Sequence, residues 1–163
     1  MKPKELLKFY IEKELVKISE PLGFKYAKSG PKFPRRTGAF TLSFTFHISK
    51  YSSEKECIFW TEWGVSSKDY KKWYKKTWDT NLMNDVIVGS SDWNIPGWLE
   101  SDYDHVVLYN NESDRQEFKK FISNVLNVGI PYYEQIVDWN TAASLALQAP
   151  LLFYEEVRDF YMM

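Results

Sequence analysis

The sequence predicts one α+β domain spanning residues 1–163, with an antiparallel sheet of about three to five strands, helices on one face of the sheet, and a helical C-terminal part. Three observations lead to this prediction. The length of 163 residues suits a single domain. Apolar and polar residues alternate from Gly38 to Ser49, as in a half-buried strand. Apolar residues recur at helical spacing from Asn111 onwards.

A first helix is predicted to begin at Pro3, where the missing backbone N–H costs nothing. Pro21 and Gly23 are expected to end it. Apolar residues between these points recur every three or four positions, so we expect them to line one face of the helix: Leu7, Ile11, Leu15, Ile18 and Leu22.

Two long strands are predicted next. GAFTLSFTFHIS, from Gly38 to Ser49, places phenylalanines on one parity and His47 on the polar parity. CIFWTEWGV, from Cys57 to Val65, is its antiparallel partner across a short turn. Clean alternation means that one face packs and the other meets water. We therefore expect a surface position for His47 and a buried one for Cys57.

The second half is predicted to begin with a basic helix in SSKDYKKWYKKTW, capped by Ser66 or Ser67. DVIVG and HVVLY are short strand candidates. A helical stripe that includes Phe118 and Phe121 follows, and Gly129 is expected just past the end of that helix, with Pro131 opening the next element.

Charge is distributed unevenly along the chain, although the net charge is only −1. Residues 1–50 contain 11 Lys and Arg against 4 Asp and Glu, whereas residues 51–163 contain 10 against 18. Residues 77–114 contain eight acids and no Lys or Arg. Such a run is typical of a solvated loop region, and it also suits a docking face for a basic partner.

Composition excludes several classes of protein. The single cysteine, Cys57, excludes an internal disulfide and a cysteine-based zinc site. The N-terminal segment has charges every few residues and no apolar leader, and no window approaches 18 uncharged apolar residues. We therefore expect a cytoplasmic protein with no membrane partner. A pI of about 6.2 makes nucleic acid an unfavourable partner.

Catalytic patterns are weak. DYDH, from Asp102 to His105, places two carboxylates and an imidazole within four residues, as a metal site can. In an extended segment, however, Asp102 and Asp104 share a face while His105 points away. No G-x-S-x-G or phosphate-binding glycine pattern is present. We predict no catalytic residue, metal or cofactor, and we keep a metal-assisted hydrolase using these three residues as an alternative.

Two groups of residues are candidates for binding. Acids and aromatic residues are interleaved within residues 77–114, and a partner-binding face is predicted at Trp93, Trp98, Asp102, Asp104 and Tyr109. The basic segment KFPRR offers an anion contact at Lys32, Arg35 and Arg36, with Phe33 expected at the surface beside them. A further alternative is a small-molecule or phosphate-ligand module, in which this segment closes over Thr41, Ser43, Thr45 and His47.

The order of these motifs resembles the bacterial domain-of-unknown-function family 4304, over roughly residues 5–137. The residues that carry the resemblance are Gly23, Phe24, Lys25, Phe33 and Arg35 or Arg36, then Gly129, Ile130, Pro131, Tyr132 and Tyr133. The tandem-tryptophan step of that family is replaced here by DWNIPGW. The family carries no established activity, so the resemblance supports the fold and implies no catalytic residue.

The function predicted from these observations is recognition of another protein, by a non-catalytic factor of the immunity or accessory type. Aromatic residues anchor protein interfaces, and unopposed acids accelerate docking to a basic partner.

Overall fold

The computed structural model describes residues 1–80, 85–99, 105–148 and 155–161. The predicted α+β class is confirmed, since five antiparallel strands form one sheet and the C-terminal part is helical. The strands β1 (Lys32–Thr37), β2 (Phe40–Ile48) and β3 (Cys57–Ser67) lie side by side in that order. β3 also pairs with both remaining strands, β4 (Val86–Ser91) and β5 (Val106–Leu108).

β3 is the central strand of the sheet. Its first residues, Cys57–Phe59, pair with β5, and its second half, from Glu62 onwards, pairs with β4. Its other edge pairs with β2 along nearly its whole length. Thr61 therefore lies between the two segments that β5 and β4 cover.

The predicted alternation of β2 and β3 is confirmed. One parity is buried, and Phe46 and Phe59 on that parity contact the ring of Phe121 from a C-terminal helix at centroid distances of 5.5 and 5.3 Å. Side chains of the other parity stay partly or fully exposed, and we call this side of the sheet the open face: Thr41, Ser43, Thr45, His47, Ile58, Trp60, Glu62 and Gly64.

The N-terminal helix differs from the prediction in its last turns. α1 (Pro3–Tyr10) passes through a π-helical turn (Ile11–Leu15) into α2 (Val16–Ser19) and a 3-10 turn (Glu20–Leu22). A π turn adds one residue and rotates the following residues by about 100° around the axis. Ser19 therefore faces the core, and the expectation of one continuous apolar face is wrong for Ile18 and Leu22, which are 38% and 42% exposed.

The described ranges also contain the helices α3 (Lys68–Trp78), α4 (Asp114–Asn124), α5 (Ile130–Glu134), α6 (Trp139–Gln148) and α7 (Glu155–Tyr161), with 3-10 turns at Asp92–Asn94 and Gln135–Val137. Ser67 caps α3 by accepting the amide proton of Tyr70. Within the described ranges, no helix combines the length and apolar character that a membrane span requires.

Gly129 does not end a helix, so that prediction is wrong. α4 runs through a second π turn (Val125–Gly129) directly into α5, and Gly129 has right-handed helical dihedrals. A Cβ at this position would lie 2.6 Å from two ring carbons of Trp63. The glycine is needed for close approach of helix and sheet, because no larger residue fits against the indole.

Candidate functional site

An open groove of about 790 Å³ lies on the open face where β2, β3 and β5 meet. We call it the aromatic groove, and its defining residues are Tyr51, Glu56, Ile58, Trp60, His105, Val107 and Tyr109. Its volume falls within the range of roughly 300–1,000 Å³ that is usual for ligand pockets. The groove is therefore large enough for a small molecule or for a side chain of a partner protein.

The register of β3 and β5 builds the floor of the groove. Ile58 is paired with Val107, and both side chains line the groove. Side chains two residues away on an extended strand share the same face. Trp60 and His105 therefore stand at one side of this apolar floor, and Glu56 and Tyr109 at the other.

Trp60 is enclosed by the two histidines of the chain. His47 is its register partner on β2, and their rings stack at 5.6 Å, whereas His105 stacks on the indole at 4.8 Å from the β5 side. Because β2 and β5 flank β3 on opposite edges, the two imidazoles cover opposite faces of the indole. The surface position predicted for His47 is confirmed by its exposure.

Hydrogen bonds fix the orientation of Trp60. Its indole N–H donates to Glu62 Oε1 at 2.9 Å, and the hydroxyl of Ser91 donates to the same oxygen at 2.7 Å. With both faces covered, the indole presents its edge to the aromatic groove. Hydrogen bonds therefore hold the indole in the wall at this side, and its stacking surfaces are already occupied.

Tyr109 stands in the opposite wall, and a buried carboxylate holds its backbone. The amide of Tyr109 donates to Asp114 Oδ1 at 2.7 Å, and Asp114 Oδ2 accepts the amides of Asn110 and Asn111 at 2.7 and 3.3 Å. Tyr109 as a residue is 49% exposed. The carboxylate therefore fixes the start of the Tyr109 side chain without covering its ring.

The loop between β2 and β3 carries Tyr51 and Glu56, and it is held by its own hydrogen bonds. The hydroxyl of Ser52 accepts the amide proton of Ile58 at 2.9 Å and donates to the Ile58 carbonyl at 3.2 Å. The amide of Tyr51 donates to Ser49 Oγ at 3.1 Å. At this end of the groove, hydrogen bonds therefore hold both the loop that carries Tyr51 and the backbone of Tyr109 in the absence of a ligand.

The charged groups of the groove differ in their surroundings. Lys50 Nζ lies 5.2 Å from the centroid of the Tyr51 ring, and Tyr51 as a residue is 74% exposed. Glu56 is half-buried and forms no ion pair with any residue in the described part of the chain. A cation and a carboxylate therefore both border the groove, and they do not neutralise each other.

The structure separates the residues of the predicted partner-binding face. Tyr109 lines the aromatic groove, and Trp93 lies beside it on the open face, 5.1 Å from the His105 ring. Trp98 turns inward and contacts Trp63 and Phe121 at centroid distances of 6.1 and 6.0 Å. Asp102 and Asp104 lie outside the described residues, so their predicted roles stay predictions.

The predicted anion site is also divided. Lys32 and Arg36 are exposed on β1, but Arg35 is bound by Glu134 at 3.0 Å, with its guanidinium 4.8 Å from the Phe24 ring centroid. The surface position expected for Phe33 is wrong: this ring is fully buried and stacks on Phe44 at 4.9 Å. Lys32 and Arg36 remain as the exposed cations of the strand.

The structure bears on two of the catalytic features that the sequence raised, the metal site and the cysteine. No group of three His, Cys, Asp or Glu side chains there is arranged to hold a metal ion, and the DYDH hypothesis lies mostly outside the described residues. Cys57 is buried as predicted. Burial, with a smaller contribution from Asp114, raises the pKa of the Cys57 thiol to about 12, so the nucleophilic thiolate is scarce at neutral pH.

Sequence reasoning missed Trp60, Tyr51 and Glu56. One signal was available for Trp60: in CIFWTEWGV it shares the parity of Glu62, opposite to the buried parity of Phe59 and Trp63. Tryptophan is enriched at interfaces, so a tryptophan on the outward parity of a strand is a candidate for a binding surface. No local pattern marks Tyr51 or Glu56.

Comparison with family models, with curated proteins and with solved structures finds no match to the chain. The resemblance to the domain-of-unknown-function family 4304 stays a prediction.

Proposed function

We propose that the protein is a non-catalytic recognition module, an immunity-type or accessory factor of the bacterial cytoplasm, which binds a partner protein through the aromatic groove. One observation carries the proposal. The tyrosines Tyr51 and Tyr109 expose their rings around an apolar floor while hydrogen bonds hold their backbones in place.

Two physical arguments support this proposal. Tyrosine and tryptophan are enriched among the residues that contribute most to protein binding, because they bury a large area with few rotatable bonds. Ordering a loop on binding costs free energy. This cost is reduced here, because hydrogen bonds to Ser52 and Asp114 hold the loops in the unbound protein. The groove therefore combines anchor residues with preorganisation.

The experiment begins with affinity capture from cells of the source organism, followed by purification of the captured partner. Its Kd is then measured by calorimetry for the wild type, for Tyr109→Ala, and for Phe9→Ala as a control. Phe9 is 43% exposed on α1 and does not line the groove. We expect Tyr109→Ala to weaken binding by roughly 10- to 30-fold, as for an anchor residue, and Phe9→Ala to leave it unchanged. Capture of no partner, or equal affinity of wild type and Tyr109→Ala, would contradict the proposal.

The volume of the groove favours a second candidate function, binding of a small-molecule ligand. The groove volume of about 790 Å³ lies within the range that is usual for ligand pockets. A ligand library screened by thermal unfolding tests this candidate, because a ligand at 100 times its Kd adds about 2.7 kcal/mol to the free energy of unfolding. A response that persists in Tyr109→Ala would place the ligand elsewhere.

A further inference from the structure

Resting on the proposed function, we infer that the aromatic groove receives an arginine side chain of the partner protein, with the guanidinium against the tyrosine rings and paired with Glu56. The alternatives that the test must separate are a neutral side chain and an acidic one.

The first observation is that a cation already occupies one ring of the groove. The ammonium of Lys50 lies 5.2 Å from the centroid of Tyr51, within the distance at which the negative face of an aromatic ring attracts a cation. Lys50 is exposed, and a cation–π contact at an exposed site is weak. An incoming cation can therefore displace Lys50 at little cost and take the same ring face.

The second observation concerns the counter-ion. Glu56 lines the groove, is half-buried, and has no ion-pair partner among the residues that the structure describes. Closing the groove with a neutral group would remove water from an unpaired carboxylate, which is unfavourable. A cationic occupant compensates for that loss, and an acidic occupant would add repulsion.

The shape of the site distinguishes arginine from lysine. A guanidinium is planar, so it stacks on a ring with one face while its edge donates two hydrogen bonds to a carboxylate. Tyr51 and Tyr109 supply exposed ring faces, whereas both faces of Trp60 are covered by His47 and His105. The two tyrosines are thus the surfaces on which the guanidinium lies.

The test uses three small probes and the full chain labelled with ¹⁵N. N-acetyl-arginine N-methylamide is titrated against its neutral isostere, N-acetyl-citrulline N-methylamide, and against N-acetyl-glutamate N-methylamide. We expect only the arginine probe to shift the amide signals of Tyr51, Ile58 and Tyr109 in a saturable manner. Equal binding of the citrulline probe, preference for the glutamate probe, or saturable shifts from none of the three, would overturn the inference.

Two variants identify the charge that matters. Glu56→Gln removes the charge of the carboxylate and keeps the shape of the side chain. We expect this variant to bind the arginine probe at least about fivefold more weakly than the wild type does. Lys50→Ala removes the competing cation, and we expect unchanged or tighter binding. The reverse pattern, with Lys50→Ala weakening and Glu56→Gln strengthening the interaction, would show an anionic occupant. Thermal unfolding of each variant verifies that it is folded.

The same variants separate this inference from the proposed function. Partner binding that is lost in Tyr109→Ala but unchanged in Glu56→Gln would overturn the arginine assignment and leave the groove as the binding site. Partner binding that is unchanged in Tyr109→Ala would overturn the proposed function itself. Partner binding that both variants weaken, together with a response to the arginine probe alone, supports both.

Discussion

Asp92 and Thr61 are joined by two hydrogen bonds of 2.9 Å each, because the amide and the hydroxyl of Thr61 both donate to Asp92 Oδ2. Thr61 lies on β3 between the segments that pair with β5 and β4. The carboxylate thus accepts an amide proton that neither strand reaches. Thr61 Oγ1 in turn accepts the indole N–H of Trp63 at 2.9 Å, which connects the carboxylate to the core.

The stability of the protein is expected to depend on pH through Asp92. Burial raises the pKa of this carboxyl above its ordinary 3.8, although the bonds from Thr61 oppose the rise. A carboxyl whose pKa is higher in the folded state binds its proton more tightly there than in the unfolded state. The protonated Asp92 therefore adds to the free energy of unfolding fully below pH 3.8, and this stabilisation is lost as the pH rises through the folded-state pKa.

Urea unfolding of the wild type and Asp92→Asn at several pH values between about 3 and 7 measures this dependence. We expect the free energy of unfolding of the wild type, relative to the variant, to fall across that window. Parallel pH profiles would contradict the assignment of a raised pKa to Asp92.

Asp114→Ala is expected to destabilise the protein by about 1–3 kcal/mol, because it leaves the amides of Tyr109, Asn110 and Asn111 without their acceptor. Hydrogen exchange of these three amides should accelerate as well. Glu112→Ala is the matched control, since Glu112 is an exposed acid in the same loop. Equal stability of the two variants would show that the buried carboxylate does not hold the loop.

Gly129→Ala is expected to cost about 1–3 kcal/mol, since the added methyl would overlap the Trp63 ring and force helix and sheet apart. The control is Gly30→Ala, because a Cβ at Gly30 meets no atom within 4 Å. Chemical denaturation of both variants measures the difference. An unchanged midpoint for Gly129→Ala would mean that the close approach is not required.

The π turn in the N-terminal helix makes a prediction about two residues three positions apart. Leu15 is fully buried and Ile18 is 38% exposed. Leu15→Ala should therefore cost about 2–5 kcal/mol, whereas Ile18→Ala should change the free energy of unfolding by at most about 0.5 kcal/mol. Comparable losses in the two variants would indicate a regular helix with one continuous apolar face.

Much of the fold could be predicted because the periods of two and 3.6 residues are local properties of the sequence. The buried parity of β2 followed from alternation alone. The phase change at Ile18 could not be predicted, since a π turn has no compositional mark that distinguishes it from a regular turn. Gly129 matched a helix-ending pattern. Its small size instead allows the helix to approach Trp63, and this contact depends on tertiary packing that no local pattern shows.

The candidate site was less predictable for a similar reason. Tyr109 was identified, but its neighbours in the groove come from a loop and a strand far away in the chain. The pairing of Ile58 with Val107 brings them together, and no local pattern specifies a pairing between such distant residues. Trp98, by contrast, was predicted to bind a partner because it lies in an acidic segment, but its ring packs against the core.

Trp60 and Trp63 lie three residues apart on β3, so one indole belongs to the open face and the other to the interior. A one-residue shift in the register of β3 would turn Trp60 inward and Trp63 outward, which would remove the indole from between the two imidazoles and empty the space beside Gly129. Insertions and deletions within β3 are therefore expected to be selected against, because they would shift this register.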